Sequence, residues 1–81
     1  MLDLSYSLTI EATDDPEFFS FYSDELEGFT GVGHSVEDCL YRARHGMREH
    51  VQLMREQGMK PPKVNKNPRV IIVNTPRRKS A

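Results

Sequence analysis

The chain has 81 residues, of which 37% are hydrophobic and 28% are charged. This length allows a single domain, and the composition is compatible with a soluble globular fold. An apolar run of the ~20 residues that cross a membrane is absent, as is a basic leader typical of a signal peptide. A single cysteine excludes an intrachain disulfide framework, and together these features predict a cytoplasmic protein.

The net charge of −1 conceals a strong asymmetry along the chain. Residues 1–38 contain ten acidic and no basic residues, whereas residues 39–81 contain all 11 Lys and Arg and two acidic residues, so that −10 + 9 gives −1. Two interpretations follow. The basic half packs over the acidic half and the charges offset each other, or an acidic surface is directed at a basic partner.

The first half of the chain predicts three strands. Residues 4–12 alternate between apolar and polar side chains, which indicates a strand with one buried and one wet face. Residues 13–17 form a turn, and residues 18–22 form a second strand whose aromatic side chains are expected to pack in the core. An acidic loop at 23–28 leads to a third strand at 29–33, where two glycines on one face predict close approach by another element.

A long helix is predicted over residues 36–57. Ser35 is the expected N-cap, and Gly58 is the expected left-handed residue that ends the helix. Apolar side chains recur in steps of three and four residues, which makes one continuous stripe that includes Cys39 as a small core residue. His45 and Glu49 are spaced so that they could share a metal ion, but a solvated helix face is the favoured interpretation.

A fourth strand is predicted at 69–74, because its apolar run without alternation indicates burial of both faces. The order is then β-β-β-α-β, an α+β fold with an antiparallel three-strand meander, a fourth strand parallel to the first, and the helix on one face. Residues 1–75 form the domain, and residues 76–81 are a basic tail expected to be disordered.

The segment from Gly28 to Leu40 resembles the signature of HicB-like antitoxins, which reads roughly P-D-L-P-G-C-x-T-x-G-D-T-x-E-E-A-L. Gly28 and Gly33 occupy its two glycines, Ser35 its capping threonine, and Leu40 its leucine. The acidic pair and the small residue of the signature are matched by Glu37, Asp38 and Cys39. Two prolines of the signature are missing here, and His34 replaces its aspartate.

This resemblance spans about residues 4–74 and implies a partial RNase H-like fold in a protein that neutralises a small basic HicA-type ribonuclease toxin by binding it. Many members continue into a DNA-binding segment, which is not seen here, so specific DNA binding by this chain is not expected. The residues expected to contact a toxin lie in two acidic groups, with Leu26 as an apolar anchor: Glu11, Asp14, Asp15, Glu17, Asp24, Glu25, Leu26 and Glu27.

An enzyme is not expected, and no catalytic, metal or cofactor residues are assigned. An RNase H-type site needs convergent carboxylates, yet Glu11 lies on the wet face of the first strand and the fourth strand ends in Asn74. The alternative function is a solitary homo-oligomeric structural or regulatory module. A homodimer or higher even oligomer is expected in either case, through the apolar fourth strand: Val70, Ile71, Ile72 and Val73.

Overall fold

A computed structural model describes residues 4–73 of the chain. Its elements are β1 (Leu8–Ala12), β2 (Phe19–Tyr22), β3 (Thr30–Gly33), α1 (Val36–Glu56) and β4 (Val70–Val73). The four strands form one sheet in the order β3-β2-β1-β4, in which β4 runs parallel to β1 and the other pairs are antiparallel. The predicted α+β class and element order are therefore confirmed. The predictions for Asn74 and the basic tail lie outside the described residues.

The helix begins as its sequence predicts. Ser35 has an extended backbone, and its Oγ accepts a hydrogen bond from the backbone N–H of Asp38 at 2.9 Å. The Asp38 carboxylate reaches back and accepts from the backbone N–H of His34 at 2.9 Å. One backbone donor of the first turn, at Asp38, and one just before the N-cap, at His34, are thereby satisfied by side chains three and four residues away.

The helix ends at Glu56 in a Schellman motif. Gly58 has a φ of +78°, the left-handed conformation that glycine adopts without steric cost. Its N–H donates to the carbonyl of Arg55 at 3.0 Å, and the N–H of Met59 donates to that of Met54 at 2.8 Å. These two bonds satisfy carbonyls that would otherwise be unpaired, so the stop is built from local sequence alone.

The hydrophobic core lies between α1 and one face of the sheet. Cys39, Ala43 and Met47 are the fully buried residues of the helix stripe. They face β1, whose buried side chains on that side include Leu8 and Ile10. The first strand begins at Leu8 and not at the predicted residue 4. Residues 4–7 precede the strand, and none of them is fully exposed. The other core members are Phe21 of β2 and three residues from the segments outside the strands: Tyr6, Leu26 and Phe29.

The glycines of β3 allow the close contacts that their spacing predicted. A Cβ added to Gly31 would lie 2.5 Å from the ring of Phe21. A Cβ added to Gly33 would lie 2.9 Å from Sγ of Cys39 and 3.1 Å from its backbone nitrogen. The aromatic ring and the first turn of the helix therefore both rest directly on the β3 backbone.

The fourth strand differs from its prediction, because neither face of β4 is fully buried within the chain. Val70 is half-buried, but Ile71, Ile72 and Val73 keep 52%, 43% and 38% of their surface exposed. Val70 and Ile72 lie on the helix side of the sheet, but the helix packs against β1, β2 and β3 and not against β4. Ile71 and Val73 lie on the opposite face with Thr9 and Glu11, which the helix does not cover. The predicted burial of both faces of the fourth strand is therefore not reached within a single chain.

Within residues 4–73, α1 is not apolar enough to cross a membrane.

Candidate protein-binding surface

The turn between β1 and β2 forms a rigid acidic projection. The hydroxyl of Thr13 donates to the carbonyl of Phe18 at 2.8 Å, and the N–H of Phe18 donates to the carbonyl of Asp15 at 3.0 Å. Oδ1 of Asp15 accepts from the N–H of Glu17 at 2.9 Å, as an Asx turn does. These bonds fix the backbone while the carboxylates of Asp14, Asp15 and Glu17 remain on the exposed surface.

An aromatic pair stands beside these carboxylates. Phe18 lies just before β2 and is 40% exposed, and its ring is 4.9 Å from the ring of His34, centroid to centroid. Nδ1 of His34 donates to the carbonyl oxygen of Glu17 at 3.1 Å. We call the group Asp14, Asp15, Glu17, Phe18 and His34 the acidic turn surface.

The acidic turn surface is connected to the helix cap. His34 binds the turn through its ring and binds Asp38 through its backbone N–H. That backbone donor, followed by the guanidinium of Arg42 at 3.0 Å, holds the pKa of Asp38 below its usual value. The cap carboxylate is therefore ionised at neutral pH, and it anchors the residue that supports the turn.

The sequence did not reveal Phe18 and His34 as surface residues. All aromatics of the second strand were expected in the core. Phe18 instead precedes β2, and its side chain is exposed. A signal was present, because Phe18 directly follows three acidic residues and a proline in a turn. Aromatic residues, phenylalanine among them, are enriched at protein–protein interfaces.

The second acidic group lies at the opposite end of the sheet, in the loop between β2 and β3. Leu26, proposed as an exposed anchor, is fully buried in the core, and this interpretation is corrected. The hydroxyl of Ser23 accepts from the N–H groups of Glu25 and Leu26, and Gly28 with φ of +81° returns the chain to β3. This geometry turns Leu26 inward although its neighbours are acidic.

The acidic residues of this loop have unequal surroundings. The Glu25 carboxylate accepts from the N–H of Ser7 at 2.7 Å and from Nδ2 of Asn65 at 2.9 Å, so it fastens the connection before β4. Asp24 and Glu27 are exposed, and the carbonyl of Glu27 accepts from Nε2 of His50 at 3.0 Å. Glu25 therefore has a structural role, which leaves Asp24 and Glu27 as the surface charges there.

Glu11 is separate from both loops. It is half-buried on the sheet face that the helix does not cover, where it lies between Ser20 of β2 and Val73 of β4. The strand register places it near the acidic turn, but its side chain projects from the sheet and not from the turn.

Four basic residues of the described chain lie around a groove at the far end of α1. A groove of about 710 Å³ lies between the second half of α1 and residues 60–64, with Tyr6, Met47 and Val51 among its apolar lining. Its rim is basic: Arg48, Arg55, Lys60 and Lys63. The acidic turn surface, in contrast, adjoins the first turn of α1. This basic groove does not cover the acidic turn surface, whose neighbouring cation is Arg42, paired with Asp38 in the first turns of α1.

Candidate catalytic features do not converge in the part of the chain that is described. No group of three or more His, Cys, Asp or Glu side chains within residues 4–73 is placed to hold a metal ion. His45 is exposed and stacks edge-on against Tyr41 at 4.6 Å, and Cys39 is a fully buried thiol. Both arrangements are explained by packing, and whether the protein has enzymatic activity stays a prediction.

Comparison of the chain with models of protein families, with curated proteins and with solved structures finds no match. The function therefore has to be argued from the residues and their geometry.

Proposed function

We propose that this protein is an antitoxin-like binding protein that neutralises a small basic ribonuclease of the HicA type by covering its RNA-binding surface. The observation that carries the proposal is the acidic turn surface, in which an exposed phenylalanine stands among three exposed carboxylates. The β-β-β-α-β order, with β4 parallel to β1, is also what a partial RNase H-like fold of the HicB-like kind requires.

The chemistry of such a surface suits a basic protein. A ribonuclease binds RNA phosphates with Lys and Arg, and a competitor that presents carboxylates is attracted to the same side chains. Complementary charge mainly raises the association rate and the specificity, whereas buried aromatic contacts supply most of the affinity. Phe18 provides that aromatic contact. The face of its exposed ring also attracts a guanidinium or ammonium group placed over it.

The rigidity of the turn favours tight binding. The bonds of Thr13, Asp15 and His34 order the backbone before any partner arrives. A preordered surface loses less conformational entropy on association than a mobile loop does.

Two measurements with the protein encoded beside it test the proposal: calorimetric titration for the affinity and stopped-flow mixing for the association rate. Phe18→Ala is expected to weaken binding roughly 10- to 100-fold, as the loss of a central aromatic contact does. Glu17→Lys is expected to slow association, with the wild-type rate falling as salt rises. Asp24→Lys is the matched control, since it makes the same charge change at the other end of the sheet.

Each outcome is decisive. Selective weakening by Phe18→Ala and Glu17→Lys supports binding through the acidic turn surface. Equal effects of Glu17→Lys and Asp24→Lys would indicate attraction by overall charge and would remove the local site. No binding at low salt would reject the antitoxin-like function and favour the solitary homo-oligomeric module.

A further inference from the structure

β4 lies at an edge of the sheet and exposes a run of apolar side chains. Ile71, Ile72 and Val73 are consecutive, large and each more than a third exposed. Natural edge strands are normally protected by charges, prolines, bulges or a covering element. No such device occurs within β4, and α1 does not contact it.

The hydrogen-bonding direction along β4 follows from its pairing with β1. Leu8 pairs with Val70 in register, and the N–H of Leu8 donates to the carbonyl of Arg69. A residue in a parallel ladder bonds to the two residues that flank its partner. Residues 69, 71 and 73 therefore direct their backbone groups toward β1, whereas Val70 and Ile72 direct theirs to the free edge.

We propose that β4 pairs antiparallel with β4 of a second copy, around a twofold axis that is perpendicular to the sheet and passes midway between the two Ile71 residues. In this register Val70 lies opposite Ile72 of the second copy, and both residues have their N–H and C=O groups on the shared edge. The two symmetry-related pairs exchange four backbone hydrogen bonds, two for each pair. The result is a continuous eight-stranded sheet with both helices on the same face. This inference does not rest on the proposed function.

The side chains fit a second copy better than an unrelated strand. Ile71 meets Ile71 of the second copy on the uncovered face, and Ile72 meets Val70 on the helix face. Arg69 is exposed on the uncovered face and lies opposite Val73 of the second copy. In the second copy, β1 lies next to β4, and its Glu11 pairs in register with that Val73.

Arg69 and Glu11 thus complement each other across the proposed interface. Their Cα atoms are separated by two strand spacings, about 10 Å, with Val73 between them. Within one chain the same two residues are four positions apart along the strand direction, about 13 Å, and are also on neighbouring strands. Arg69 and Glu11 are therefore closer between copies than within one copy, and the twofold axis produces this pair of opposite charges twice.

Sedimentation equilibrium from 5 to 200 µM measures the assembly. The expected species has twice the 9.3 kDa mass of the chain. Ile72→Pro removes an edge N–H without removing a bond to β1, and is expected to give a folded monomer by circular dichroism. Ile72→Thr keeps the N–H and the β-branch and is expected to remain dimeric. A monomeric wild-type protein at 200 µM, or a dimer unaffected by Ile72→Pro, would overturn the proposal.

Cysteine crosslinking tests the register. Ile71→Cys places two thiols directly opposite each other at the axis, in a non-hydrogen-bonded pair whose Cα atoms are about 4.5 Å apart, and is expected to form a crosslinked dimer with a copper–phenanthroline oxidant. In Val73→Cys the two thiols are about 13 Å apart along the strand, beyond the reach of a disulfide. Crosslinking of Val73→Cys, or none of Ile71→Cys, would overturn the register.

Charge exchange tests the identity of the occupant. Arg69→Glu and Glu11→Arg are each expected to weaken the dimer, and the double variant is expected to restore it to within a few-fold of the wild type. Loss of the dimer in the double variant would show that these residues do not meet across the interface. A protein that is monomeric alone and acquires a different partner chain on β4 would equally overturn the proposal.

Discussion

Replacement of Leu26 by alanine tests whether Leu26 is a core residue or a binding residue. Leu26 is 0% exposed in a loop whose flanking side chains are acidic and exposed. Removing a fully buried leucine side chain leaves a cavity and costs about 2–5 kcal/mol. A chain of 81 residues has a total unfolding free energy of about 4–12 kcal/mol, at 0.05–0.15 kcal/mol per residue. Leu26→Ala is therefore expected to remove a large fraction of the stability.

Urea unfolding measures this loss of stability. The protein concentration is kept fixed, because association would make the stability depend on concentration. The melting temperature is expected to fall by on the order of 10 °C or more. The control is Leu53→Ala on α1, since Leu53 is 52% exposed and its truncation should change stability by less than about 0.5 kcal/mol. If Leu26→Ala leaves the unfolding free energy unchanged, Leu26 is not a core residue and the corrected position of the loop is wrong.

The remaining stability predictions concern the start of the helix. Ser35→Ala should cost about 1 kcal/mol in urea unfolding, because it removes the N-cap acceptor of the Asp38 N–H. The pKa of Asp38 is lowered in the folded protein by the N–H of His34 and then by Arg42, so its contribution is complete above the usual value of 3.8 and is lost as the pH falls through the lower folded pKa. Asp38→Asn should accordingly destabilise the protein at pH 7 and reduce the loss of stability below about pH 4 in thermal unfolding. Cys39 is 0% exposed, and burial, and then the charge of Asp38, raise the pKa of its thiol, so its reaction with a disulfide reagent at pH 8 should be much slower than that of an exposed cysteine and should accelerate on unfolding in urea.

Features decided by neighbouring residues were predictable from the sequence. The N-cap at Ser35 and the stop at Gly58 each depend on hydrogen bonds that span five residues or fewer. The helix stripe and the alternation at Leu8 and Ile10 are likewise local patterns, and they identified the faces that form the core. The face of the first strand that was expected to be wet is not exposed, because Thr9 keeps only 8% of its surface and Glu11 is half-buried. The element order then restricted the sheet to few arrangements, because connections are short and crossovers are right-handed.

Features decided by tertiary placement were not predictable in this way. The apolar composition of β4 indicates that both faces prefer burial, but it does not tell where the helix lies. The helix packs over the other three strands, so Ile72 on the helix side is left exposed, and Ile71 lies on the face that the helix does not cover. For Leu26, the sequence showed only acidic neighbours, and the inward rotation of the loop depends on Ser23 and on the left-handed Gly28.

The candidate site was predictable in charge but not in shape. The acidic turn could be located from the sequence, because Asp14, Asp15 and Glu17 surround a proline. The supporting contact of His34 could not, since it joins residues 17 positions apart through a ring nitrogen and a backbone carbonyl. Glu25 shows the reverse case, because a residue with the expected charge proved to hold Ser7 and Asn65.

Gly31 joins the local and tertiary arguments, and its substitution gives the last prediction. The glycine spacing of β3 indicated that something approaches closely, and the structure identifies it as the Phe21 ring, 2.5 Å from a Cβ added at Gly31. Phe21 is 4% exposed and its ring lies 5.8 Å from that of Phe29, so it has little room to move. Gly31→Ala should therefore cost about 1–3 kcal/mol as an overpacked core does, although alanine in a strand is otherwise preferred to glycine. Phe21→Leu removes the ring, so the double variant should be more stable than the sum of the two single changes predicts. Urea unfolding of the four proteins measures this coupling, and additive effects would mean that the ring does not rest on Gly31.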